Sequence, residues 1–260
     1  MEGNGEKMNN MIRISAVRYA NSYPLIYGLR ESGIEDEAII TIDHPSECAY
    51  KLSNRLADIG LVPVAVIPEI VGSEIISEYC IGTNTPVRTV MLLSNDPFES
   101  IGRINLDYRS RSSVALARVL AAKFWNRTFE WHLTDPGFDF ENVGKGEGVV
   151  IIGDQCFELE GKYKFSIDLA VEWKRFTGLP FVFAVWVSNR KLDPAFLNRF
   201  NSALEYGINN IGKAVEKFGE VSTMPLDTLV SYLYNNIDYR LDNDKKLAMN
   251  TFINYLKEIK

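Results

Sequence analysis

The first fifty folded residues switch repeatedly between two hydrophobic periods, and that alternation limits the fold more than any other feature. "MIRISAV" (11–17), "EAIITID" (37–43) and "ADIGLVP" (57–63) read as short buried strands. Between them, "PLIYGLRES" (24–32) and "PSECAYKLSNR" (45–55) read as helices, each with a proline in its first turn. In the second helix Cys48, Ala49, Leu52 and Leu56 recur at helical spacing. Strand–helix–strand–helix–strand predicts a parallel, doubly wound α/β sheet.

The pattern starts again further on. "SEIISEYCIG" (73–82) and "VRTVMLLS" (87–94) read as strands. A second α/β unit follows, with strands at 103–108, 129–133 and 147–155 and a helix over 112–125. A helix over 167–178 stops at Gly178, and "PFVFAVWVSN" (180–189) is a long apolar strand. A helical tail covers about 194–217, 225–236 and 243–258. Strands 87–94 and 180–189 bracket the second unit and are unusually apolar. If both cross between halves, 11–90 with 190–260 forms one lobe and 95–180 the other. Such an α/β protein has two lobes, a double hinge and an interlobe cleft. Ligands in open α/β sheets bind outside the carboxyl ends of strands, and lobe interfaces favour small-molecule pockets.

Composition narrows the function. The 260 residues are 46% hydrophobic and 24% charged, enough for a substantial core. A net charge of −6 without any basic run argues against a nucleic-acid partner. Cys48, Cys80 and Cys156 are odd in number and far apart, so a disulfide framework is not expected. With only His44 and His132, neither metal nor cofactor is expected. "MEGNGEKMNN" (1–10) is polar, without the apolar core of a signal peptide, and reads as a disordered leader or a remnant ahead of the fold. No run is long enough to span a membrane, so a cytoplasmic protein of open oligomeric state is expected.

Candidate site residues fall just after predicted strands. Asn21 and Ser22 follow the first; an asparagine amide donates and accepts at once, though both residues also suit a helix cap. Ser46 opens the second helix, whose free N–H groups attract anions. Arg88, followed by Thr89, suits a forked hold on a carboxylate. "RSRSSVALARVL" (109–120) sets Ser110, Ser112 and Ser113 at the start of an apolar helix, where a single cap explains only one hydroxyl. Asp154 ends another strand, as a cap or an acid–base group. Fingerprints for dinucleotides, nucleotide triphosphates, zinc proteases and serine hydrolases are absent. The residue chemistry therefore reaches a two-lobed protein closing on a small anion with more than one carboxylate.

The segments "NSYPL", "PSECA", "DIGLVPVA", "PVRTVMLLS", "LDYRSRSSVALARVL", "VVIIGDQ" and "EWKRFTGLPFVFAVW" occur in that order. Together, over about 12–190, they resemble the chorismate dehydratases of the futalosine route to menaquinone. The resemblance implies a type II periplasmic-binding-protein-like fold without an export signal. It implies that chorismate loses water to give 3-[(1-carboxyvinyl)oxy]benzoate. The sister dihydroxynaphthoate synthase shares that fold, but its "PDPDD" and "HGETA"-like segments are absent. Tyr23 and His44 depart from the family pattern at positions able to reshape the pocket. On this reading Ser112 and Ser113, with Ser110, hold one carboxylate, Ser46 with Arg88 and Thr89 the other, and Asn21 orients the departing hydroxyl. Asp154, His44 and the substrate's own enolpyruvyl carboxylate are the candidate bases, the last being preferred. A non-catalytic anion sensor on the same fold is the rival.

Overall fold

A computed structural model describes residues 11–259, so the leader expected at 1–10 lies outside the described residues. Strand β1 (Ile12–Val17) buries Ile14, Ala16 and Val17. Helix α1 (Tyr23–Glu31) leads to β2 (Ala38–Asp43), and α2 (Pro45–Ser53) leads to β3 (Ile59–Pro63). Both β2 and β3 pair with β1 in parallel, as the alternation predicts. A 3-10 segment at Val64–Glu69 then connects to β4 (Glu74–Thr83).

The chain next builds a second sheet. Its strands are β5 (Val90–Ser94), β6 (Arg103–Leu106), β7 (Glu130–Leu133), β8 (Glu147–Ile152) and β9 (Phe165–Asp168), in the order β7-β6-β8-β5-β9. Helix α3 (Ser112–Leu120) lies between β6 and β7 and runs on as a π turn over Ala121–Trp125. The short α4 (Gln155–Glu158) follows β8. Helix α5 (Leu169–Thr177) follows β9; the Asp168 carboxylate caps its first N–H groups, and Gly178 ends it at φ 75°.

The chain then returns to the first sheet with β10 (Phe181–Ser188). Helices α6 (Pro194–Asn209), α7 (Ile211–Phe218) and α8 (Leu226–Asn235), the short β11 (Asp238–Arg240) and α9 (Asn243–Glu258) complete it. The first sheet has the order β11-β4-β10-β3-β1-β2.

One expectation needs correction. The sheets are mixed: β10 is antiparallel to β3 and β4, and β5 is antiparallel to β8 and β9. The segments 87–94 and 180–189 each begin at a crossing between the sheets and then enter one of them. Each contributes a strand flanked on both sides within one sheet, β5 in the second and β10 in the first. Their apolarity reflects cover on both faces, which leaves no solvent-facing side to alternate. The crossings themselves are 84–89 and Gly178–Pro180. There an aromatic cluster joins the halves. Trp173 of α5 lies 5.5 Å from Phe181 of β10 and 5.9 Å from Phe252 of α9, ring centre to centre.

Candidate functional site

Strand ends from both sheets meet at one narrow cavity. The first half contributes Val17 at the end of β1, Tyr19 and Asn21 after it, Pro63 at the end of β3, and Phe183 and Ala184 of β10. The crossing segment and second half contribute Thr89, Ile152, Gly153 and the serines at the start of α3. The cavity measures about 60 Å³, well under the roughly 300–1,000 Å³ of ordinary ligand sites. The cleft is thus drawn nearly shut, with Tyr19 laid on Gly153. A Cβ on Gly153, whose φ is +75°, would stand 2.4 Å from that ring, so only glycine lets the two halves approach this closely.

Of the six hydroxyl and amide residues expected at the site, five converge. Asn21, Thr89, Ser110, Ser112 and Ser113 all line this cavity. The three serines divide their tasks. Ser110 Oγ accepts the Ser113 N–H at 3.1 Å, which is the helix cap. Ser112 Oγ donates to the Phe183 carbonyl at 2.8 Å and accepts the Ala65 N–H at 3.4 Å, so it ties α3 to the first half. The Ser113 hydroxyl has no protein partner among the described residues. The lining contains no carboxylate, histidine, lysine or arginine.

Three predicted residues lie elsewhere. The Ser46 N–H donates to the Arg109 carbonyl at 3.3 Å, and the next two N–H groups of α2 donate to the His44 carbonyl at 2.9 Å. The helix start expected to hold an anion is therefore already occupied by backbone. Arg88 points away from the cavity. Its own N–H donates to Asp168 at 2.8 Å, its backbone is left-handed (φ 61°), and its guanidinium pairs with Glu160 at 3.0 Å over the Phe157 ring. Asp154 sits behind Tyr19, and its carboxylate accepts the Ala20 N–H at 3.1 Å. Burial holds its pKa up at about 6, against the counter-effect of that N–H.

Asp154 instead faces an outer groove of about 730 Å³ shared by Arg18, Arg30, His44, Arg109 and Glu158. His44 Nε2 accepts from Arg18 at 3.2 Å. Burial first, then the charges of Arg18 and Arg109, lower its pKa, so it is a weak base. Arg109 is held by both oxygens of the fully buried Asp107, at 2.8 and 2.7 Å.

Sequence reading missed the tyrosines that frame Asn21. Tyr232 of α8 and Tyr239 of β11 both reach it from the helical tail, at 3.4 Å and 3.0 Å. In sequence they look like members of an apolar stripe, and no local signal marks them. Gly153 carried a signal, a glycine closing the apolar run "VVIIG". Among the described residues, no helix is long and apolar enough to cross a membrane.

Comparisons with known proteins agree with this architecture. The sequence pattern described as menaquinone biosynthesis matches residues 12–258. A chorismate dehydratase from Thermus thermophilus is 24% identical, the match covering 90% of this chain and 91% of the relative. Protein AF1704 from Archaeoglobus fulgidus superposes with a TM-score of 0.76 at 12% identity, over 96% of this chain and 97% of that one. The aliphatic sulphonate binding protein SsuA of Escherichia coli, a periplasmic protein, superposes with a TM-score of 0.60 at 12% identity, over 96% and 92%. A Candida albicans protein described as having the generic periplasmic binding protein fold gives 0.61 at 12% identity, over 96% and 90%. The fold is therefore that of the periplasmic binding proteins.

Proposed function

This chain belongs to the menaquinone biosynthesis family, and on that premise we propose that it is a lyase that dehydrates chorismate to 3-[(1-carboxyvinyl)oxy]benzoate. The observation that carries the reading is the cavity lining: neutral hydrogen-bond donors from both halves, with no ionised side chain among them. The relative named chorismate dehydratase supports the choice of substrate.

Chorismate carries a ring carboxylate and an enolpyruvyl carboxylate. The ring proton to be removed sits on the ether carbon, vinylogous to the ring carboxylate. Its loss puts charge onto that carboxylate's oxygens, forming a dienolate. The neighbouring carbon then expels its hydroxyl, and with the abstracted proton this leaves as water while the ring becomes aromatic. Donors fixed around the developing charge lower this barrier, and they act most strongly in a water-excluded cleft. Ser113 and Thr89 are assigned to the carboxylates and Asn21 to the departing hydroxyl.

The base is assigned to the substrate's own enolpyruvyl carboxylate, held close by the same donors. Two facts support this. The lining offers no carboxylate or imidazole, and the Asp154 carboxylate is engaged with Ala20 outside it. The same reading treats 11–90 with 190–260, and 95–180, as two bodies that part at Tyr19 and Gly153 to admit substrate.

The test is to mix micromolar protein with chorismate and follow the aromatic product by ultraviolet absorbance. Appearance of the benzoate, with one water lost per chorismate by mass, supports the reading. Tight binding of chorismate with no turnover would turn it into a non-catalytic anion-binding protein, and a sulphonate binding protein shares this fold.

A further inference from the structure

Asn21 reaches the cavity from the end of β1 and Thr89 from the crossing segment, and one buried group touches both. Tyr232 is fully buried. Its hydroxyl receives the Asn21 Nδ2–H at 3.4 Å and lies 2.8 Å from Thr89 Oγ1. Phe157 packs edge-on against its ring at 5.3 Å, so the ring has a fixed seat. A phenol has one proton to give. Thr89 Oγ1 is its only acceptor among the described residues, and a buried hydroxyl left undonated costs about 1–3 kcal/mol. The Tyr232 proton is therefore directed to Thr89.

This fixes the hydrogen-bond direction at both ends. Asn21 uses one amide hydrogen on Tyr232, and its Oδ1 accepts from Ser22 Oγ at 3.4 Å. Its second amide hydrogen remains for the cavity. Thr89, having accepted from Tyr232, keeps its own hydrogen, whose nearest protein acceptor is the Val87 carbonyl at 3.4 Å. Tyr239 donates to the Asn21 carbonyl at 3.0 Å and holds the backbone beneath the amide. We propose that Tyr232 is a positioning residue that makes Asn21 and Thr89 donors toward the substrate and sets the distance between them, with Tyr239 steadying Asn21. The role rests on the dehydratase reading for its chemistry, since that reaction needs donors at the departing hydroxyl and at a carboxylate.

The experiment compares wild type, Tyr232→Phe, Thr89→Val, Thr89→Ser, the Tyr232→Phe/Thr89→Val double variant and Tyr239→Phe. Tyr232→Phe keeps the ring and removes only the hydroxyl. Its kcat should fall about 10–100-fold, the scale of a small misplacement of a reacting group, with KM changed less than about threefold. Thr89→Ser should retain more activity than Thr89→Val. The double variant should be little worse than the worse single one, because both break one chain of bonds. Tyr239→Phe should lose less than Tyr232→Phe. Wild-type kcat in folded Tyr232→Phe, a loss confined to KM, or multiplying effects in the double variant would overturn the proposal.

A second readout needs no substrate. The Asn21 side-chain amide protons, assigned by their loss in Asn21→Ser, should be slow to exchange in wild-type NMR spectra and exchange faster in Tyr232→Phe. If wild type fails to turn over chorismate, the functional reading falls, while the amide signal still decides the positioning role. An unchanged signal overturns it. Should Tyr232→Phe fail to fold, Thr89→Val decides by the same signal, since it removes the acceptor that anchors the phenol.

Discussion

The cavity on one side of Tyr19 and the groove on the other are built from opposite materials. Inside, about 60 Å³ is lined by amide, hydroxyl and apolar groups. Outside, about 730 Å³ is shared by three arginines, His44, Asp154 and Glu158. The outer charges largely answer one another or the backbone: Arg109 holds Asp107, Arg30 lies 3.8 Å from Glu35, and Asp154 holds Ala20. The inner groups keep donors free. On the proposed function, the charged residues near the cleft are not its chemistry. Neutral dipoles fixed in a closed space stabilise charge that appears during reaction, without the desolvation cost of burying ions beforehand.

The comparison is most sharply tested at Asn21. Asn21→Ala should lower kcat by about 10²–10³-fold, as for other fixed donors to developing charge, and His44→Ala should cost less than about tenfold. Steady-state kinetics on the two variants decides it; equal losses would erase the distinction. Gly153→Ala comes next. The new Cβ would meet Tyr19 at 2.4 Å in a left-handed backbone, so Tyr19 must move. The variant should lose about 10²-fold in kcat/KM by misplacement of the cavity wall and melt at a lower temperature.

Ser112→Ala removes the tie between α3 and β10. The Phe183 carbonyl and Ala65 N–H lose a partner, and denaturant unfolding should show about 1–3 kcal/mol less stability. Asp154→Asn should do little to turnover, within about tenfold of wild type, whereas a general base is worth about 10²–10⁴. A loss of about 10³-fold with binding intact would move the chemistry into the outer groove. Its signature is in stability. The Asp154 pKa is raised to about 6 from an ordinary 3.8, so the folded state favours the protonated acid. That contribution is complete below about pH 4 and is lost as pH rises through about 6. Asp154→Asn should flatten the stability profile across that window. The smallest effect is expected at Arg18→Gln: about a two- to threefold drop in kcat/KM at low salt, vanishing at high salt, since exposed charge steers a dianion at long range.

Much of this was legible before any coordinates. The periods of 11–63 place three parallel strands correctly, and position after a strand singles out Asn21, Thr89 and the α3 serines. What failed has one physical cause. Local sequence shows that Ser46 has an N–H, Arg88 a fork and Asp154 a carboxylate. It does not show that Arg109, Glu160 and Ala20, between 63 and 134 residues away, have already engaged them. Long-range partners also hid Tyr232, which lies 211 residues from Asn21. The same limit applies to 87–94 and 180–189, where apolarity reports burial and is silent about which sheet does the burying.

Helices α1 and α6 touch backbone to backbone: a Cβ on Gly28 would stand 2.0 Å from the Ala203 carbonyl oxygen, and one on Gly207 1.9 Å from that of Pro24. The helix ending at Glu31 therefore has no seat until the helix ending at Asn209 has been synthesised. The first sheet likewise lacks its central strand until Ser188 leaves the ribosome, while the second is contiguous from Val90 to Asp168. The strands of the middle sheet are therefore all made before the first sheet can be completed, unlike a simple N-to-C order of domains. Throughout that interval β3 and β4 present bare edges that only β10 will cover, the kind of edge that invites pairing with another chain.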